Sequence, residues 1–96
     1  MSKKIINELK RNIAIFSDFK DVYLFGSAMN KTDYYDIDLL IIYETFPQES
    51  KRTHLADKLS QLLGSPVDIT FLSIKEEKEL KFLERIEGKY LHIKQS

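Results

Sequence analysis

Residues 24–41, LFGSAMNKTDYYDIDLLI, place two aspartates, Asp36 and Asp38, at the head of an apolar run that is typical of a buried strand. Side chains two residues apart in a strand point to the same side, so we expect the two carboxylates to project together while Ile37 and Leu39 point into the opposite layer. Two like charges so close repel each other, and the loss of water adds to the cost. A cation or a set of hydrogen-bond donors must therefore compensate for them.

A divalent cation would remove both costs. Mg²⁺ is the natural candidate because it takes oxygen ligands and needs only one or two protein carboxylates besides substrate phosphates. Asp68 stands at the start of a later predicted strand and would complete the set if that strand lies beside the first. Three carboxylates are enough to hold two cations about 3.5 to 4 Å apart, the separation used in phosphoryl transfer. The alternative role for Asp68 is that of a solvated residue at a strand start.

The turn Phe25-Gly26-Ser27-Ala28 comes shortly before the two aspartates. Gly26 lets the backbone approach a ligand closely. Ser27 can supply a hydroxyl at the start of a short helix whose free amide groups favour an anion. A phosphate-binding turn beside a metal-binding strand suggests a nucleoside triphosphate as ligand.

The remainder of the chain alternates helical and extended patterns. The apolar positions from Ile5 to Phe16 predict one helix, and a second apolar stripe predicts a helix that ends at Gly64. Ser73 and Glu76 match the spacing of a capping box that opens a third helix carrying Leu80 and Leu83. Strands are predicted at residues 21–25, 36–43 and 67–72, and residues 86–93 form either a short edge strand or a docked extension. We expect a single α/β (α+β) domain over residues 1–96.

The composition excludes several classes of protein. The 96 residues include 15 Lys and Arg against 15 Asp and Glu, so a clustered basic surface for extended nucleic-acid binding is not expected. The lack of cysteine excludes disulfides and thiolate metal sites and is consistent with a reducing cytoplasm. The N-terminus has no signal-peptide core, and no apolar run approaches the length of a membrane span. We expect a soluble cytoplasmic protein.

The glycine-serine turn and the acidic strand resemble the minimal nucleotidyltransferases (MNT proteins) of the polymerase-β superfamily. Members carry two apolar residues and Gly-Ser, a spacer, Asp-x-Asp at the head of an apolar strand, and a third carboxylate on a later strand. Here residues 24–27, residues 36–41 and Asp68 match that pattern, and the likeness covers residues 22–83. The spacer, residues 28–35, is eight residues long where many members have nine or ten. The arginine and glycine common just after the turn are also missing.

The resemblance implies a nucleotidyltransferase palm, a small mixed β-sheet with helices packed on one face and the other face open for catalysis. It implies Mg²⁺-dependent transfer of a nucleoside monophosphate, typically AMP from ATP, to an acceptor hydroxyl with release of pyrophosphate. Asp36, Asp38 and Asp68 would be the metal-binding catalytic residues, and Gly26 and Ser27 would hold the triphosphate. Many members are encoded beside an all-helical HEPN protein, often a ribonuclease toxin, which implies a HEPN-type partner, a hetero-oligomer and a role as antitoxin.

Two other functions stay open. A non-catalytic antitoxin or assembly subunit would keep the palm and neutralise its partner by contact alone, and the short spacer and missing arginine favour it. A nucleotide-binding regulator would bind ATP without transfer.

Tyr34 and Tyr35 could stack on a base, although aromatic residues beside a strand more often serve packing. His54 and His92 have no partner at metal-ligand spacing and are expected at the surface or its boundary.

Overall fold

Four strands and several helices follow one another along the chain. The computed structural model describes residues 3–26, 37–86 and 89–94. In chain order these residues form α1 (Lys3–Arg11), a 3₁₀ helix (Ile13–Phe16), β1 (Asp21–Phe25), β2 (Ile37–Tyr43), α2 (Glu49–Leu63), β3 (Val67–Ser73), α3 (Ile74–Leu80), α4 (Phe82–Arg85) and β4 (Tyr90–Lys94).

The four strands form one mixed sheet in the order β3-β2-β1-β4. β2 pairs with β3 in parallel, whereas β1 pairs antiparallel with both β2 and β4. The parallel pair is connected through α2, because parallel neighbours need a crossover rather than a hairpin. The tail is thus an edge strand, one of the two forms that its sequence pattern allowed.

β2 is the buried centre of the sheet, as its apolar run predicts. Ile37, Leu39, Leu40 and Ile41 are all 0% exposed, because β2 has a neighbouring strand on each side and side chains packed over both faces. The odd-numbered residues of the strand join the main core, where α1 and α2 contribute Ile5, Ile6, Leu9, Leu55, Leu59 and Leu63. The larger helices therefore lie on one face, as the resemblance implies.

The opposite face is not fully open, which corrects that part of the expectation. Leu40 and Leu72 belong to a second buried cluster there, and Phe82 and Leu83 of α4 pack against it. Lys81 makes this possible, because it adopts a left-handed conformation (φ 52°) that ends α3 and starts α4. The single third helix predicted from the sequence is therefore divided in two.

The first predicted helix is also interrupted. Asn12 leaves the helical region (φ −106°, ψ 29°), and its side-chain amide donates to the carbonyl oxygen of Glu8 at 2.8 Å. Asparagine side chains compete with the helix for backbone groups in this way. The chain continues as a 3₁₀ helix, which still buries Phe16.

Two predicted helix ends are confirmed. Gly64 ends α2 in the left-handed region (φ 71°), as a C-terminal glycine does. Ser73 Oγ accepts from the Glu76 N–H and a Glu76 carboxylate oxygen accepts from the Ser73 N–H, each at 3.0 Å, which completes the capping box. Over the three described ranges, no helix combines the length and the apolar character needed to cross a membrane.

Candidate active site

Asp38 and Asp68 lie side by side on neighbouring strands. Each is the second residue of its strand, and the two are register partners in the parallel pair of β2 and β3. Partners in a parallel pair point to the same face, which here is the face carrying Leu40 and Leu72. Asp38 is half-buried and Asp68 is exposed. The sheet therefore brings together the two carboxylates, which stand 30 residues apart in the sequence.

Gly26 lies directly against the Asp38 carboxylate. Its φ is +79°, and a β-carbon built on it would meet Asp38 Oδ2 at 2.2 Å and Asp38 Cγ at 3.1 Å. The left-handed backbone and the close contact both favour glycine, since any side chain would occupy the space of the carboxylate. The contact arises because Phe25, the residue before Gly26, is the register partner of Asp38 in the antiparallel pair.

The two flanks of Asp38 differ in chemistry. On the β3 flank, the exposed Asp68 is followed on the same face by Thr70. On the β1 flank lies Phe25, which has Tyr90 of β4 as its own register partner. The ring of Phe82 stands edge-on to Phe25 with 5.3 Å between centroids. Asp38 thus lies between a polar flank and an aromatic one.

Several predicted site residues lie outside the described residues. These are Asp36 and Ser27, together with Tyr34 and Tyr35. Within the ranges 3–26, 37–86 and 89–94, no group of three or more acidic, histidine or cysteine side chains is placed to hold a metal. The described part of the candidate site is therefore the pair Asp38 and Asp68 with Gly26.

This pair fits a hard divalent cation. The metal-binding atoms of this pair are carboxylate oxygens. Mg²⁺ prefers oxygen ligands, whereas softer metals do not require them. Two adjacent carboxylates on one face also repel each other, so a cation between them would stabilise both.

The aromatic neighbours of this site and the partner of His92 were not predicted from the sequence. His92 Nε2 lies 3.0 Å from Asp21 Oδ1, and its ring stacks on Tyr23 at 4.2 Å. Burial raises the pKa of the Tyr23 hydroxyl to about 12. The alternation of β4 could have placed Tyr90 and His92 on one face, but Phe82 has no such signal, because its position depends on the turn at Lys81.

A cleft of about 470 Å³ lies at the other end of the sheet, lined in part by Asp18, Phe46 and Lys51. The cleft is next to the C-terminal end of β2 and the N-terminal end of β1, and Asp38 is at the opposite end of these two antiparallel strands. The cleft lacks paired carboxylates among its described lining residues. We therefore place the candidate site at Asp38 and Asp68 rather than in the cleft.

The family model of polymerase beta nucleotidyltransferases matches residues 3–96. The chain belongs to this family. Its four-stranded mixed sheet, with Gly26 directly after β1 and Asp38 near the start of β2, is thus the nucleotidyltransferase fold. A search of curated proteins finds no match to this nucleotidyltransferase.

Solved structures share the fold of this nucleotidyltransferase. A chain from the complex of a tri-AMPylated Shewanella oneidensis HEPN toxin with its MNT antitoxin is 20% identical, with a TM-score of 0.67, and the match covers 100% of this chain and 74% of that one. A toxin-antitoxin structure with AMP-PNP is 23% identical, with a TM-score of 0.67 and coverage of 94% and 74%. A nucleotidyltransferase structure from Sulfolobus solfataricus is 21% identical, with a TM-score of 0.54 and coverage of 93% and 78%.

Proposed function

We propose that this nucleotidyltransferase uses Mg²⁺ to transfer AMP from ATP to a hydroxyl of a HEPN-type toxin, and thereby acts as an antitoxin in the cytoplasm. The observation that carries the proposal is the placement of Asp38 beside Asp68, with the Asp38 carboxylate packed over Gly26. The structural neighbours support it, since one is a complex of an AMPylated HEPN toxin with an MNT antitoxin and another contains AMP-PNP. In this proposal residues 1–96 act as one domain.

Each site residue has a separate role in the proposed reaction. Asp36, Asp38 and Asp68 would hold Mg²⁺, which when bound offsets the charge that develops on the transferring phosphate. Gly26 and Ser27 would hold the triphosphate tail through backbone and hydroxyl groups.

Asp68 would also face the acceptor, because it lies on the outer strand and is exposed. The acceptor oxygen forms a bond to the α-phosphorus while the bond to the bridging α–β oxygen breaks. Pyrophosphate leaves, and the hydroxyl proton passes to Asp68 or to solvent.

The test is transfer of label from ATP labelled at the α-phosphate to a HEPN-type toxin produced together with this chain. We expect transfer by the wild type with Mg²⁺ and a loss of roughly a hundredfold or more for Asp38→Asn, because one metal ligand is removed. Asp57→Asn is the matched control, since Asp57 is an exposed aspartate on α2. Label transfer by Asp38→Asn at the wild-type rate would contradict the proposal.

A contact-only antitoxin is the second candidate, and the eight-residue spacer at residues 28–35 favours it. It predicts that the wild type transfers no label and that the double variant Asp38→Asn, Asp68→Asn still neutralises the toxin. Toxin activity measured with and without each variant therefore separates the two functions. Loss of neutralisation in the double variant, together with loss of label transfer, supports the enzyme.

A further inference from the structure

Three half-buried aromatic side chains adjoin the carboxylate pair on the same face of the sheet. They are Phe25 of β1, Phe82 of α4 and Tyr90 of β4, and we call them the aromatic wall. Phe25 is the register partner of Asp38 on one side and of Tyr90 on the other. The wall therefore begins one strand away from Asp38.

The turn at Lys81 brings Phe82 to the wall. Because Lys81 is left-handed, the chain changes direction after α3 and α4 packs back onto the sheet. The N–H of Leu83 donates to a carboxylate oxygen of Glu77 at 3.3 Å, across the turn. Phe82 then meets Phe25 edge-on, with 5.3 Å between centroids and 79° between planes.

The wall lies on only one side of Asp38. Phe25 precedes Gly26, so the wall shares the flank on which the proposed function places the polyphosphate. The other flank carries the exposed Asp68 and then Thr70. A nucleobase offers a π-face that stacks well on aromatic rings, whereas the general base that an acceptor hydroxyl uses is a polar group such as Asp68.

We propose that the aromatic wall binds the nucleobase of the nucleoside triphosphate, and that the β3 flank is left to the acceptor. The inference rests on the proposed function, because it assumes that the phosphates lie at Asp38 and Gly26. The base, ribose and phosphates are one molecule, so the base lies within a nucleotide's length of Asp38 and Gly26. Among the described residues, the aromatic wall is the aromatic surface that adjoins Asp38.

The test compares two ligands that share the phosphates and differ in the base. Isothermal titration with Mg²⁺ would measure the affinity of α,β-methylene-ATP, which cannot be cleaved at the α–β bridge, and of inorganic tripolyphosphate. The variant is Phe82→Leu, which keeps apolar volume but removes the ring. Phe46→Leu is the matched control, because Phe46 is a 55% exposed ring at the opposite end of the sheet.

We expect Phe82→Leu to weaken the nucleotide analogue roughly tenfold to a hundredfold while leaving tripolyphosphate affinity near that of the wild type. Phe46→Leu should change neither affinity. Equal weakening of both ligands by Phe82→Leu would mean that the ring serves packing, and would overturn the inference. Unchanged analogue affinity with slower label transfer would assign the wall to the acceptor and would overturn it as well.

Asp38→Asn separates failure of this inference from failure of the proposed function. If Asp38 binds the metal that holds the phosphates, this variant weakens both ligands. If the wild type binds neither ligand, or if Asp38→Asn changes neither affinity, the proposed function fails and the inference falls with it. Circular dichroism of each variant shows whether the fold is retained.

Discussion

Alanine at Gly26 should disable the site while leaving most of the fold intact. The new β-carbon would lie 2.2 Å from Asp38 Oδ2 and 3.3 Å from Asp38 Cβ. The carboxylate is the end of a side chain, so it can rotate away, but it then leaves the position beside Asp68. The perturbation therefore acts on the catalytic geometry through a single methyl group.

The structure gives the size of both effects. Moving Oδ2 from 2.2 Å to an ordinary contact at 3.4 Å requires about 1.2 Å, and a misplacement of about 1 Å can lower a rate roughly a hundredfold. Alanine in the left-handed region adds about 1 to 2 kcal/mol of strain. For a domain of this size, each 1 kcal/mol lowers Tm by roughly 4 to 8 °C.

Gly64→Ala is the matched control for backbone strain. Gly64 has φ +71°, but nothing lies within 4 Å of the position of its β-carbon. We expect a similar loss of thermal stability from the two variants and a loss of transfer from Gly26→Ala alone. Thermal melts by circular dichroism measure the first effect, and transfer of labelled AMP at a temperature well below both Tm values measures the second.

Transfer of AMP by Gly26→Ala at the wild-type rate would refute the reasoning. It would mean that the Asp38 carboxylate need not lie over Gly26. Equal loss of transfer in both glycine variants would refute it as well. That result would assign the effect to strain in the fold rather than to the site.

Three further outcomes follow from the described residues. Asp68→Asn should lower transfer roughly a hundredfold while changing unfolding free energy by less than about 0.5 kcal/mol, because Asp68 is exposed; unaffected transfer would make it a solvated strand residue. The hydrogen bond from the Ser73 N–H lowers the pKa of Glu76 below 4.5. The stabilisation that ionised Glu76 contributes is therefore present above pH 4.5 and is lost as the pH falls through the lowered pKa. In urea unfolding, the stability of Glu76→Gln should approach that of the wild type over that acidic range. Burial raises the pKa of Tyr23 from 10.0 to about 12, so stability should fall as pH rises through this interval, and Tyr23→Phe should remove that part of the loss; identical alkaline profiles would contradict the assignment.

Features set by near neighbours could be read from the sequence. The bounds of β1, the end of α2 at Gly64 and the capping box of Ser73 and Glu76 all depend on residues within one or two turns, so their patterns are local. The same is true of the alternation that puts Asp38 and Leu39 on opposite faces of β2. The acidic motif and the glycine-serine turn were sufficient to indicate the family.

Other features required the tertiary structure. β3 pairs directly with β2, so Asp68 becomes the partner of Asp38, and β1 brings Gly26 against the same carboxylate. The fold of α4 onto the sheet carries Phe82 to Phe25, 57 residues away in sequence. The two-residue period of a strand and the 3.6-residue period of a helix do not specify which distant segments pair. Pairing is decided by packing among residues far apart in the chain. The chemistry of the candidate site could therefore be anticipated, whereas its two unlike flanks could not.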